Sequence, residues 1–370
     1  MKQLLKYYSK KRLFVVGVIT AICLILSTVI LLESNFVRTS SFWVEKPYMP
    51  DYGYHIQATV ADDAPLGIVA VFASILVVLV PIFEFYFKMR KISIDQMYSL
   101  PINRKELYLT KYLVGLIEII IPLTITYLYI FLWVILSEHM FSLIYFLPYY
   151  FVLVLTTAIT YTIFTFIYTR ANTFFDGIIN MTIYAIILPI IMYSIDLVFE
   201  TNICSWFFIH SPIASLTTDF NNLLMKASYD IITENITYRI DGFRMISVYN
   251  SLIFLALSIV CGILFYKLNP NDKAENSQEL SNSKFLYKTT IPLTILGVVV
   301  SFGTDSAFII SVVMFISGYL LYAIYQRSFK ISWKVLLMLL LAVIGASIIS
   351  GVLDAIDPNV GKVLEQYPYY

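Results

Sequence analysis

Few residues in this chain have the type and spacing that chemistry requires. Glu84 and Glu118 are the only carboxylates well inside long apolar runs, and an acid at membrane depth is costly and points to function by default. Glu84 lies four residues before Lys88, so an i,i+4 ion pair would account for it without function. Glu118 lies seven residues past Lys111, about 10 Å into a helix. Both Glu84 and Glu118 read either as paired structural carboxylates or as parts of an intramembrane polar network. His55, His139 and His210 are scattered, and Cys23, Cys204 and Cys261 follow no metal spacing, so neither a zinc site nor a disulfide framework is expected. There is no Ser-His-Asp order or nucleophile elbow. A phosphate-cradling loop needs Gly-x-x-x-x-Gly-Lys-Ser/Thr, whereas Gly361-Lys362 runs into Val363 and lacks the upstream glycine. The chain is therefore not expected to act as an enzyme by itself.

One segment stands out from the connectors. Residues 85–111 read FYFKMRKISIDQMYSLPINRKELYLTK. Asp95, Gln96, Met97, Tyr98, Ser99 and Leu100 make a helical stretch before Pro101, the chain turns there toward Ile102, and a new helix capped by Asn103 follows with Arg104, Lys105, Glu106 and Leu107. Asn103 and Glu106 have the spacing of a capping box, with Asn in place of the usual Ser or Thr. Tyr98, Leu100 and Ile102 form an apolar surface among charges. A short rigid element of this kind suits the docking of a soluble partner.

The elements that must hold this segment are set by composition. The 370 residues are 59% hydrophobic and only 13% charged, with 29 Tyr and 27 Phe, and the mean hydropathy is +0.79. A soluble domain carries about 25% charged residues, and one built like this would expose large apolar patches. The reading is an all-α polytopic integral membrane protein. The net charge of +1 leaves no basic field for nucleic acid. Windows of about 20 apolar residues fall at 13–32, 65–87, 112–136, 142–168, 177–199, 247–268, 290–303, 306–325 and 331–353. That gives about nine helices, or eight if the seventh and eighth form a re-entrant pair. With the N-terminus in the cytoplasm and the C-terminus outside, nineteen of the 25 Lys and Arg fall on the inner side, a clear positive-inside pattern.

The connections differ in character. Residues 1–12 read either as a helix lying on the membrane surface or as a basic flank that sets topology. The outer segment 33–64 is polar. The outer segment 200–246 begins with an apolar part that dips back toward the membrane and continues, over 217–244, as polar helical pieces. Residues 268–288 have the composition of a solvated linker, dividing six helices in front from three behind.

Taken in order, four stretches resemble a known family. Asp95 followed by Tyr-Ser-Leu-Pro-Ile-Asn-Arg-Lys-Glu-Leu, Arg170-Ala-Asn-Thr-Phe-Phe-Asp-Gly, Ser211-Pro-Ile-Ala-Ser-Leu and the N-terminal basic helix look like the permease subunits of ABC-2 type ABC transporters. The resemblance implies a six-helix permease core over 1–268, with an elbow helix at 1–12 and a coupling segment at 88–111 that contacts the ATPase. A cytoplasmic linker at 269–289, three additional helices at 290–353 and an external tail at 354–370 would complete the chain in the extended bacterial form. It also implies a multi-pass protein of the bacterial cell membrane that exports a peptide, antibiotic, lipid or other amphiphile. Its partners would be ABC ATPase subunits and a second permease, as homodimer or heterodimer, with ATP and Mg bound by the ATPase rather than by this chain. The alternatives are a secondary transporter or channel without an ATPase, or a sensor and immunity permease against peptide antibiotics.

Overall fold

The computed structural model describes residues 2–33, 37–46, 49–61, 64–137, 141–198, 211, 213, 217, 226–231, 234–239, 245–272, 275, 277–279, 281, 283, 285–301, 307–326, 328–330 and 332–356. The apolar first part of the segment 200–246, up to residue 210, lies outside these residues, and so does its expected dip back toward the membrane.

In hydrocarbon the backbone must satisfy its own hydrogen bonds, so apolar runs become helices. They do so here close to the expected positions: α1 (Lys2–Glu33), α2 (Ala64–Phe85), a short α3 (Lys91–Tyr98), α4 (Arg104–Leu136), α5 (Phe146–Arg170), α6 (Phe174–Val198), α7 (Met245–Leu268), α8 (Tyr287–Ser301), α9 (Ala307–Gln326) and α10 (Trp333–Ile356). Among the described residues, seven are long and apolar enough to cross a bilayer, and Tyr287–Val300 of α8 and Trp333–Ile349 of α10 are shorter apolar stretches. Leu13, Phe14, Phe83, Leu132, Phe151, Ile309 and Ile324 are more than half exposed, as side chains facing lipid would be.

Two expectations are corrected. Helix α1 runs unbroken from Lys2 to Glu33, so residues 2–12 continue the first span instead of forming a separate surface helix. The stretch 217–244, expected as helical pieces, is extended at 226–231 and 234–239. β1 (Val37–Lys46), β2 (Met49–Ala61), β3 (Lys226–Ile231) and β4 (Glu234–Arg239) form one antiparallel sheet in the order β1-β2-β3-β4. Its joining register pairs Ala58 with Tyr229, Thr59 with Ser228 and Val60 with Ala227. The signal was present in the β-branched and aromatic content of Val37–Val44 and Tyr52–Val60, residue types that suit pleated surfaces.

The chain divides into two compact units, and α2, α4, α5 and α7 each contribute to both. One comprises Met1–Val80, Leu109–Tyr161 and Pro212–Ser258; the other comprises Pro81–Tyr108, Thr162–Ser211 and Ile259–Tyr370. Tyrosine hydroxyls fasten the first unit. Tyr129 meets Thr28 at 3.0 Å, Tyr150 meets Thr124 at 2.7 Å, and Tyr127 and Tyr149 donate to the carbonyls of Phe146 and Leu66 at 2.7 and 3.3 Å.

In the second unit, α8 packs on α6, α9 and α10. Its core joins Ile291, Ile295 and Val299 to Tyr322, Leu339 and Ala346. Small residues permit the close approaches: Gly297 faces Ile190 and Ile191 of α6, and Gly318 faces Ile295 and Leu339. Thr290 donates to Asn180 at 3.3 Å and Tyr325 to Asp176 at 3.4 Å. The three C-terminal helices therefore share a core with α6 and do not hang from a tether.

Candidate functional site

The segment singled out by sequence is built within the second unit. After α2, a 3-10 turn over Tyr86–Met89 leads to α3, with Arg90 as its extended N-terminal cap. Ser99 closes α3 through its N–H to Asp95 O at 2.9 Å, and its hydroxyl donates to Gln96 O at 2.9 Å. Pro101 then turns the chain. Asn103 caps α4: its Oδ1 accepts the Lys105 N–H at 3.1 Å, the interaction expected of Asn at an N-cap.

The expected contact surface divides in two. Tyr98 is half-buried and faces its own unit. Its hydroxyl lies 3.0 Å from that of Tyr108, and the Arg104 guanidinium stacks 4.1 Å above its ring. Burial pushes the Tyr98 phenol above its ordinary range, with the Tyr108 hydrogen bond opposing. Tyr108 in turn stacks on Phe85 at 6.1 Å and meets Phe87 and Phe265 at 6.0 and 6.2 Å. Aromatic pairs at such separations add to their area burial. Leu107 and Ile94 are buried beside them in the chain, at 2% and 1% exposure.

The other side of the segment is open. Ile92 is 75% exposed and Leu100 39%, and Asp95, Gln96, Ser99, Pro101, Arg104 and Lys105 are exposed as well. Met97, Ile102 and Glu106 are intermediate. Ile92, which sequence reasoning did not select, is the most exposed large apolar residue of the segment. Tyr98 was expected to lie on this face and is instead an internal prop.

Residues 269–286 are a further departure. Their composition predicts a solvated linker, yet Asn269, Pro270, Ser277, Ser281 and Leu286 are buried. A 3-10 turn over Asn269–Asn271 ends at Asp272, whose carboxylate reaches Lys88 and Arg170. Polar composition does not imply solvation where buried cations require a partner.

The two intramembrane acids belong to different units. Glu118, 2% exposed, pairs with Arg12 of α1, Nε to Oε1 at 3.4 Å. The Lys111 ammonium lies 4.5 Å above the Tyr8 ring. Glu84 is 1% exposed, and Lys88, proposed above as its i,i+4 partner, is engaged with Asp272 and the Thr169 carbonyl. Among the described residues, no group of three His, Cys, Asp or Glu is placed to hold a metal ion.

Comparison with protein-family models, with curated proteins and with solved structures finds no match.

Proposed function

We propose that this chain is the transmembrane permease subunit of an ATP-driven exporter, moved by a separate ATPase that docks on 91–107. The observation that carries the reading is the two-sided build of that segment. Its inner side is propped by the Tyr98–Tyr108 pair and the Phe85, Phe87 and Phe265 rings, while Ile92 and Leu100 stand outward. A rigid support behind exposed apolar anchors is what a force-transmitting contact needs, because a few buried anchors carry most of a docking energy.

In this mechanism the ATPase binds ATP and Mg, and the chain itself performs no chemistry. Closure of two ATPases would press on the segments of two permeases and shift their helices between inward and outward access. Prolines within spans, Pro81, Pro122 and Pro189, are sites where such helices can bend. The positive-inside pattern supports a cytoplasmic position for this face. The substrate class is an amphiphile such as a peptide, antibiotic or lipid.

The test is affinity purification of the full-length chain from its native membrane after cross-linking, with ATP hydrolysis assayed in the eluate. An ATP-hydrolysing subunit should accompany the wild-type chain and be lost with Ile92→Asp plus Leu100→Asp. Recovery of no such subunit, or equal recovery with the double variant, would refute the reading.

A further inference from the structure

Lys88 follows α2, and Arg170 is the last residue of α5; they are 4% and 8% exposed. Each would be expensive to bury alone. Both meet the same oxygen, because Asp272 Oδ2 lies 2.6 Å from Lys88 Nζ and 2.6 Å from Arg170 Nη2. The other carboxylate oxygen takes Arg170 Nη1 at 3.5 Å. The Arg170 guanidinium also donates to Asn269, whose amide donates to Thr169 Oγ1 at 3.0 Å.

The backbone is gripped as well. Ser277 donates its hydroxyl to the Lys88 carbonyl at 3.1 Å, and Ser281 donates to the Arg170 carbonyl at 2.9 Å. The Gln278 N–H donates to Asn172 O at 2.9 Å. Each of the two cationic residues is thus held twice, by its charge and by its main chain, from one segment. That double hold sets the separation between the ends of α2 and α5. The third tie leads to the docking segment: Arg104 Nη1 approaches the Asp272 carbonyl at 3.5 Å while its guanidinium stacks on Tyr98. Packing alone would not require two cations from different helices and a third from the segment to converge on one residue.

We propose that Asp272 is a positioning residue, the centre of a clasp through which residues 269–281 lock the docking segment to the ends of α2 and α5 and transmit its movement to them. The inference rests on the exporter reading for the origin of that movement. The clasp itself is a property of the chain alone. It is weakest at Asp272, whose side chain is 24% exposed, so water can compete for the carboxylate there while Lys88 and Arg170 stay enclosed.

The experiment compares the wild-type chain with Asp272→Asn, Asp272→Glu and the Ser277→Ala plus Ser281→Ala variant in lipid nanodiscs. Hydrogen exchange is read over 88–107 and 269–281, with and without the co-purified ATPase. In the chain alone, Asp272→Asn should speed exchange of both segments together by about tenfold, the signature of a shared opening unit. Asp272→Glu should restore most of the protection, and the serine variant should show an intermediate loss. With the ATPase present, Asp272→Asn should keep partner affinity within about threefold, since Ile92 and Leu100 are untouched, while stimulation of ATP hydrolysis falls about tenfold. Unchanged exchange over 88–107 in Asp272→Asn, or faster exchange with unchanged stimulation, would overturn the clasp. If the wild-type chain recruits no ATPase, the exporter reading fails, and the exchange of the chain alone still decides the clasp.

Discussion

A methyl group added at Gly115 should destabilise the protein through one identifiable atom. A Cβ built there lies 2.2 Å from the Tyr161 hydroxyl oxygen, and 3.1 Å from both Tyr161 Cζ and Val80 Cγ1. The 2.2 Å approach is more than about 1 Å short of an ordinary van der Waals contact. Tyr161 cannot swing away freely: it is fully buried, its hydroxyl donates to the Tyr112 carbonyl at 3.2 Å, and its ring lies 5.3 Å from that of Tyr112. Overpacking of this kind costs about 1–3 kcal/mol. Loss of the Tyr161 hydrogen bond adds about 1 kcal/mol, and the better helix propensity of Ala over Gly returns about the same amount. Gly115→Ala should therefore cost about 1–3 kcal/mol, read as a fall of several degrees in the melting temperature of the detergent-solubilised protein. Tyr161→Phe removes the obstructing oxygen at the expense of one hydrogen bond. The double variant Gly115→Ala plus Tyr161→Phe should then be at least about 1 kcal/mol more stable than the sum of the singles. Additive singles, or a rise in melting temperature for Gly115→Ala alone, would refute the reasoning.

Three other expectations are open to direct measurement. Arg12→Met removes the guanidinium held 3.4 Å from the buried Glu118 carboxylate; because Arg12 is a quarter exposed, the loss should be about 1–3 kcal/mol, below that of a fully enclosed pair, and thermal unfolding should show it with Arg12→Lys in between. Tyr98→Phe deprives the buried Tyr108 hydroxyl of its 3.0 Å partner and should cost about 1–2 kcal/mol, whereas Leu100→Ala, exposed as it is, should stay within about 0.5 kcal/mol of wild type in the same melting assay. Gln278 has a φ of 69°, a left-handed conformation that costs a side-chain-bearing residue about 1 kcal/mol. Gln278→Gly should accordingly leave the melting temperature unchanged or raise it, and a clear fall would contradict the strain.

The segment 91–107 shows how far residue types alone can lead. Its location, its break at Pro101 and its restart under Asn103 could be read in advance, because caps and turns are decided by neighbours a few residues apart. Which of its apolar residues faces outward could not. Tyr98 and Leu100 look alike as candidate anchors, and the difference is made by Tyr108 and Arg104, which only the folded turn brings against Tyr98. Ile92 was passed over because its neighbours in sequence gave no reason to prefer it.

The apolar runs by themselves determined that the chain is helical where it crosses the membrane. A helix satisfies its backbone within its own run, so the composition of each window suffices. Tertiary structure alone decided the sheet and the clasp. The pairing of Thr59 with Ser228 and the ion pairs of Asp272 with Lys88 and Arg170 join residues more than a hundred positions apart, and no local pattern records such a meeting. Asp272 lies in a stretch whose composition suits water. Its carboxylate nonetheless turns inward to two cations at the ends of other helices, Lys88 and Arg170, because burying such charges unpaired is costly.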